Sequence, residues 1–188
     1  MKRLWAAPEC SLLSGLLAVW AVLGCLPLAA QPKPTEYEVK AAYLANFGKF
    51  VTWPARSGVT SDAPFQICIL GQDPFGPTLD AAVAGETING QPEAAKRISN
   101  SGEATDCRVL FISSSKDAQL KTILADLNKS SILTVGEMPQ FCNRGGIVQF
   151  VLTGNRVRFQ INLSATANAG LMLSSELLKV ALVVLNTP

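Results

Sequence analysis

Residues 145–178, GGIVQFVLTGNRVRFQINLSATANAGLMLSSELL, restrict the possible folds more than any other stretch. Two apolar runs, Ile147 to Leu152 and Val157 to Ile161, flank Gly154-Asn155, which is the pattern of a β-hairpin closed by a two-residue turn. From Ser164 the period changes. Ala165, Ala169, Met172, Leu173, Leu177, Val180 and Val184 recur at helical spacing, which predicts a long apolar helix after the hairpin. Such a helix has to lie against a sheet to bury its apolar side, so the remaining elements are expected to be arranged around it.

The first thirty residues stand apart from that fold. Lys2 and Arg3 form a short basic start, Ser11 to Leu28 is almost uninterruptedly apolar, and Leu28-Ala29-Ala30 ends in small residues, which together predict an export signal cleaved after Ala30. A permanent membrane anchor is the competing account of the same run, and Pro27 with the small-residue exit argues against it. Val22-Leu23-Gly24-Cys25 loosely resembles a bacterial lipobox with Cys25 as the lipidated residue, although Leu23 is a poor fit there. Residues 31–34 form a proline-rich lead-in with no reason to be ordered. Residues 35–188 are enough for one domain with its own core.

There is no histidine in the chain. Ser-His-Asp and Cys-His catalysis are therefore excluded, as are the usual zinc sites, and no cofactor is expected. Lys2, Arg3 and Glu9 leave with the signal, so acidic and basic residues are almost balanced. No basic run marks a nucleic-acid binder. The exported part keeps Cys68, Cys107 and Cys142. In an oxidising compartment this predicts one disulfide and one spare thiol, with three pairings open. Cys68 in FQICIL and Cys107 in CRVLFI occupy comparable points of two apolar strands, which favours that pair if the strands are neighbours.

Thr35, followed by Glu36 and Glu38, predicts an N-cap and a helix to about Thr52, with Val39, Ala42, Tyr43, Phe47 and Phe50 on its apolar face and Trp53-Pro54 closing it. Phe65 to Leu70 and Cys107 to Ile112 are continuous apolar runs typical of buried strands, and Ser131 to Val135 is a third. GETINGQ predicts a small hairpin turned at Asn89-Gly90 with Ala94 to Ile98 returning. Residues 71–78 match the spacing of a phosphate-binding loop, but Pro77 occupies the lysine position and two prolines remove donors, so a stiff turn before a helix at Thr78 to Val83 is expected instead. Ser113 and Lys116 satisfy the S-x-x-K pattern of serine acyl-enzymes, yet neither companion motif follows, and a serine cluster opening a helix to about Leu127 is better explained as a cap. The order of elements predicts a single-domain α/β fold with a mixed, largely parallel sheet, helices on both faces, and a C-terminal antiparallel hairpin followed by the long helix.

Several segments, EYEVKAAYLANFGKFVTWP, FQICILGQDPFG, ETINGQP, CRVLFIS, SILTVGE, GGIVQFVLTGNRVRFQINL and AGLMLSSELLK, occur in the order and spacing of the YfiR/HmsC-like periplasmic proteins, and the chain resembles that family over nearly all of Glu36 to Val180. The resemblance implies an exported, dimeric α/β protein that represses an inner-membrane diguanylate cyclase by contacting its periplasmic region. An outer-membrane lipoprotein sequesters the repressor in that scheme, so envelope or redox state is coupled to cyclic-di-GMP and biofilm output. Cys68 and Cys107 match the family's disulfide cysteines. Cys142 matches one half of a second bridge in some members, but the following strand offers only Val148, Phe150 and Val151, so here Cys142 is expected to be free or available to a second chain.

The leading expectation is thus a periplasmic regulatory binding protein. A periplasmic small-ligand sensor is the alternative, its pocket lying between the end of the first helix and the last helix, with Tyr43, Trp53, Arg158, Gln160 and Met172 as candidate contacts. Asn162 is a further candidate for a partner or ligand surface. Enzymatic chemistry is not expected, because Asp73, Glu86, Glu137 and Glu176 show no spacing that brings them together.

Overall fold

Thr35 caps the first helix. Its Oγ1 accepts from Glu38 N at 3.3 Å and Glu38 Oε2 accepts from Thr35 N at 2.6 Å, a reciprocal capping box that opens α1, Glu36–Phe47. The computed structural model describes residues 33–54 and 63–186. The expected export signal, Cys25 and most of the loop after Pro54 lie outside the described residues. From Pro34 onward the chain is one compact unit.

The first helix stops short of Thr52. The backbone tightens into a 3-10 turn at Gly48–Phe50 and enters β1, Val51–Thr52. Gly48 permits this, since a Cβ there would stand 2.8 Å from Ile88 Cδ1 and 2.9 Å from Phe65 Cζ. The strands and helices that follow are β2 (Phe65–Leu70), α2 (Pro77–Val83), β3 (Thr87–Ile88), β4 (Gln91–Ile98), β5 (Cys107–Ile112), α3 (Leu120–Asp126), β6 (Leu133–Gly136), β7 (Val148–Thr153), β8 (Arg156–Asn162), α4 (Leu163–Asn168), β9 (Met172–Leu173), α5 (Ser175–Val180) and β10 (Val183–Leu185).

Eight strands form one sheet in the order β10-β8-β7-β6-β5-β2-β4-β3, and β1 pairs separately with β9. Within the large sheet only β7–β8 and β3–β4 are antiparallel. Both are tight hairpins, and both turn on left-handed residue pairs: Gly154 (φ 54°) with Asn155 (φ 57°), and Asn89 (φ 51°) with Gly90 (φ 82°). That geometry matches the twist of the flanking strands.

Alternation along the strands divides the core between the two faces. Ile67, Ile69, Val109, Phe111, Val135, Phe150 and Phe159 pack on one face, against Ala41, Leu44 and Phe47 of α1 and Leu79 and Val83 of α2. Cys68, Leu70, Leu110 and Ile112 face the other way, onto Leu120, Ile123, Leu127 and Phe141. The fold is therefore a mixed α/β domain, largely parallel, with helices on both faces.

The long C-terminal helix is not formed. The α4 segment ends at Asn168 in a Schellman motif in which Leu171 N donates to Thr166 O at 3.1 Å and Gly170 N to Ala167 O at 2.9 Å, with Gly170 at φ 68°. The chain then runs extended as β9. Val51 lies opposite Leu173, and Ser174 N donates to Phe50 O at 2.8 Å. Ser174 restarts a helix by accepting from Leu177 N, but α5 lasts only to Val180 before β10 begins. The apolar spacing that resembled one helix is shared among two short helices and two strands.

Candidate functional site

The disulfide joins Cys68 and Cys107 across neighbouring parallel strands, with Cα atoms 5.8 Å apart. Both cysteines are fully buried on the α3 face. Beside them the helix-start serines are engaged structurally. Ser113 caps the 3-10 turn at Ser114–Gln119 by accepting from Ser115 N, Ser115 Oγ accepts from Gln72 N at 2.9 Å, and Lys116 Nζ reaches Ser99 O at 3.2 Å. The S-x-x-K pair is thus spent on capping and loop closure. The 71–78 turn is held by Arg97, whose guanidinium donates to Asp73 Oδ2 at 2.8 Å, to Gly76 O and to Asp80.

Cys142 is a free thiol, and it is 0% exposed. Its Sγ lies 3.5 Å from Ile147 O and 3.6 Å from Gln160 O, and burial pushes the thiol up to about 12. The sulfur is enclosed within its own chain. The same polar knot holds Asn162, which is 2% exposed. Its Nδ2 donates to Cys142 O at 2.8 Å, its Oδ1 caps α4 by accepting from Ala165 N at 3.0 Å, and Thr166 Oγ1 donates to its carbonyl at 2.7 Å. The Asn162 side chain thus bonds backbone groups of its own chain. Gln149 and Thr134 complete the knot by accepting from Cys142 N and Ile147 N.

Tyr43, Trp53, Arg158, Gln160 and Met172 do not line one pocket in this structure. Val157, Phe159 and Ile161 of β8 face α1, so by strand alternation Arg158 and Gln160 point to the opposite side of the sheet from Tyr43. Trp53, half-buried, stands edge-on to Phe65 at 5.2 Å in a separate recess. Met172 is not core: it is 67% exposed. Tyr43 alone of the five lines the principal groove.

That groove, of about 470 Å³, lies between α1 and α5, near where the ligand alternative placed it. Tyr43 and Phe47 stack at 6.0 Å, and Phe159 meets them edge-on at 5.4 and 5.6 Å, forming a rigid aromatic floor. Phe50, 38% exposed, and Val180, 56% exposed, form its apolar rim, with Asn46 and Glu176 as polar margins. By its spacing Phe50 belongs to the apolar face of a helix. It is exposed because the chain has left the helix by then. Val180 is exposed because Ser174 starts a second, short helix that ends there, and Ser174-Ser175 before Glu176 is the sequence signal of that start.

The other end of α1 is anchored. Lys40 is buried, and its Nζ donates to Glu36 and, at 2.6 Å, to Glu137 Oε2 beyond β6. Burial alone would lower the ammonium, but these two carboxylates outweigh it and raise it. The groove wall formed by α1 is thereby fixed to the sheet. No helix among the described residues is long and apolar enough to cross a membrane.

A family model described as YfiR/HmsC-like matches residues 37–182. Among solved structures, a conserved domain protein from Vibrio cholerae O1 biovar El Tor is similar with a TM-score of 0.55 and 11% identity, over 80% of this chain and 60% of that one. The chain thus spans less than two thirds of that protein, and the likeness is one of fold. An ABC domain from Streptococcus pneumonia, solved in complex with L-Trp, is similar with a TM-score of 0.48 and 11% identity, over 64% of this chain and 55% of that one.

Proposed function

The chain belongs to the YfiR/HmsC-like family, and on that premise we propose that it is a periplasmic regulatory protein that represses an inner-membrane diguanylate cyclase through the cyclase's periplasmic region. In this reading the mature protein, freed of its export signal, acts as a homodimer and not as an enzyme. It couples envelope or redox state to cyclic-di-GMP and biofilm output, with an outer-membrane lipoprotein able to withdraw it from the cyclase. The observation that carries the reading, beside family membership, is the exposed aromatic groove between α1 and α5 on a disulfide-braced body. An apolar surface of this kind, edged by Asn46 and Glu176, has the character of a protein-contact site.

Deleting the gene tests the proposal. Cellular cyclic-di-GMP is expected to rise and to return on complementation, and an unchanged level overturns the repressor role. A second reading, a small-ligand sensor, is favoured by the groove's volume, which falls within the range of ligand pockets. Calorimetric titration of small apolar and aromatic metabolites separates the two, because saturable binding that fails with Tyr43→Ala belongs only to the sensor.

A further inference from the structure

Glu93 is a buried carboxylate on β4, and neither of its oxygens has a hydrogen-bond partner among the described residues. Its place in the sheet explains what lies over it. Glu93 stands opposite Phe65 on β2, and Gln91, two residues before it, stands opposite Ile88 on β3, so Phe65, Ile88 and Glu93 share one face. Gly48 packs against Phe65 and Ile88 on that face with no room for a Cβ. The 3-10 turn at Gly48–Phe50 is therefore seated over Glu93.

Few charges surround this carboxylate. Lys49 of the turn favours its ionised form, and Glu86, just before β3, opposes it. Lys49 Nζ is itself held by Asn46 Oδ1 at 3.0 Å and Glu86 Oε2 at 3.2 Å. β2 and β3 carry no charged side chain. Asp80, the one acid of α2, and Asp73 are taken by Arg97, which lies further along the same face of β4, while Lys96 is on the opposite face. Arg108 is on β5, with β2 between. Burial, more than any of these charges, raises the Glu93 carboxyl to about 7. No imidazole shares that range, because the chain has no histidine.

The same turn sets both walls of the groove. Asn46 and Phe50, on either side of Lys49, line it from the α1 side. Phe50 O accepts from Ser174 N at 2.8 Å, and Ser174 caps α5, which supplies Leu177 and Val180 to the other wall. We propose that Glu93 and Lys49 form a proton-operated latch beneath the Gly48–Phe50 turn, closed while Glu93 carries its proton and opened when the proton passes to water, and that opening takes the groove between α1 and α5 out of its partner-binding shape. A neutral acid is tolerated under the turn. A bare carboxylate there needs water or a cation, so it draws Lys49 inward, away from Asn46 and Glu86, and the turn moves with it. Phe50 and the Ser174 cap follow. One proton is thereby linked to the groove, and affinity for a partner that needs the closed form falls by up to about tenfold per pH unit above 7.

The latch rests on the regulatory reading only for what the groove holds, and it is tested on the exported protein without the cyclase, so either can fail alone. Trp53, three residues beyond Phe50 and edge-on to Phe65, is the only tryptophan after residue 30 and reports on the turn. Its fluorescence is expected to change in a single one-proton step centred near pH 7. The step is expected to be absent in Glu93→Gln and to move upward in Lys49→Met, which lacks the cation that favours the carboxylate. By hydrogen exchange, protection of the Ser174 and Leu177 amides is expected to fall severalfold from pH 6 to pH 8 in the wild type and to stay equal in Glu93→Gln. A flat Trp53 signal between pH 5 and 9, the same step in Glu93→Gln, or an unmoved step in Lys49→Met overturns the latch. Unchanged protection at Ser174 and Leu177 overturns its link to the groove.

Discussion

Cys107 stands opposite Gln66, not opposite Cys68, in the β2–β5 ladder. The register passes from Gln66↔Cys107 to Ile67↔Val109, one step on β2 against two on β5. Arg108 is therefore the extra residue of a β-bulge, and the bulge turns Cys107 onto the sheet face that Cys68 occupies. Without it, Cys107 would share the face of Val109 and the sulfurs would lie on opposite sides of the sheet.

The bridge closes a separation of 39 residues that contains β3, β4 and the turn between them. Constraining that loop in the unfolded chain stabilises the fold by about 2–4 kcal/mol. A Cys68→Ser variant is expected to melt at a lower temperature, as the wild type does in reductant, and to repress weakly in cells. Equal melting temperatures with and without reductant would remove the structural role of the bridge.

Glu93 gives the chain a defined pH response. It is 8% exposed on β4, and its carboxylate has no hydrogen-bond partner among the described residues. Burial raises it to about 7, opposed by Lys49 and reinforced by Glu86. The folded chain thus keeps a proton that the unfolded chain releases above its ordinary value near 4.5. Stability from this group is full below that value and declines as pH rises through 7, by about 3 kcal/mol. Glu93→Gln is expected to flatten the fall in melting temperature between pH 5 and 8 and to be the more stable protein at pH 8. Parallel curves for variant and wild type would contradict this.

Much of the fold was legible because its signals are local. The capping box at Thr35, the two left-handed hairpin turns and the apolar runs of β2 and β5 are each decided within a few residues. The C-terminal region is harder to read because its apolar period runs on past Gly170, whose left-handed conformation ends α4. The site was less legible. The alternation of β8 separates Arg158 and Gln160 from the buried Val157, Phe159 and Ile161, and so from Tyr43. The β2–β5 bulge left no mark in the sequence, since it depends on how two distant strands come into register.

Cys142 is expected to behave as a core residue. Its raised thiol and closed surroundings leave almost no thiolate and no access. Ellman's reagent is expected to label no thiol in the folded, oxidised protein and one per chain in denaturant. Cys142→Ala is expected to preserve cellular repression. Rapid labelling of the native protein would restore a redox role for this sulfur.

The groove between α1 and α5 makes the sharpest demand on the regulatory reading. Phe50 and Val180 form its rim and are already exposed, so charging them perturbs packing little. Phe50→Glu and Val180→Glu are each expected to melt within a few degrees of the wild type and to lose repression, raising cyclic-di-GMP toward the level of the deletion strain. A charge introduced into a desolvated apolar contact costs several kcal/mol, enough to reduce occupancy of the cyclase at least tenfold. Leu152→Glu makes the same change on an equally exposed apolar residue away from the groove and is expected to leave repression intact. If all three variants repress normally, the groove is not where the cyclase is held; if all three fail alike, added charge and not position is responsible.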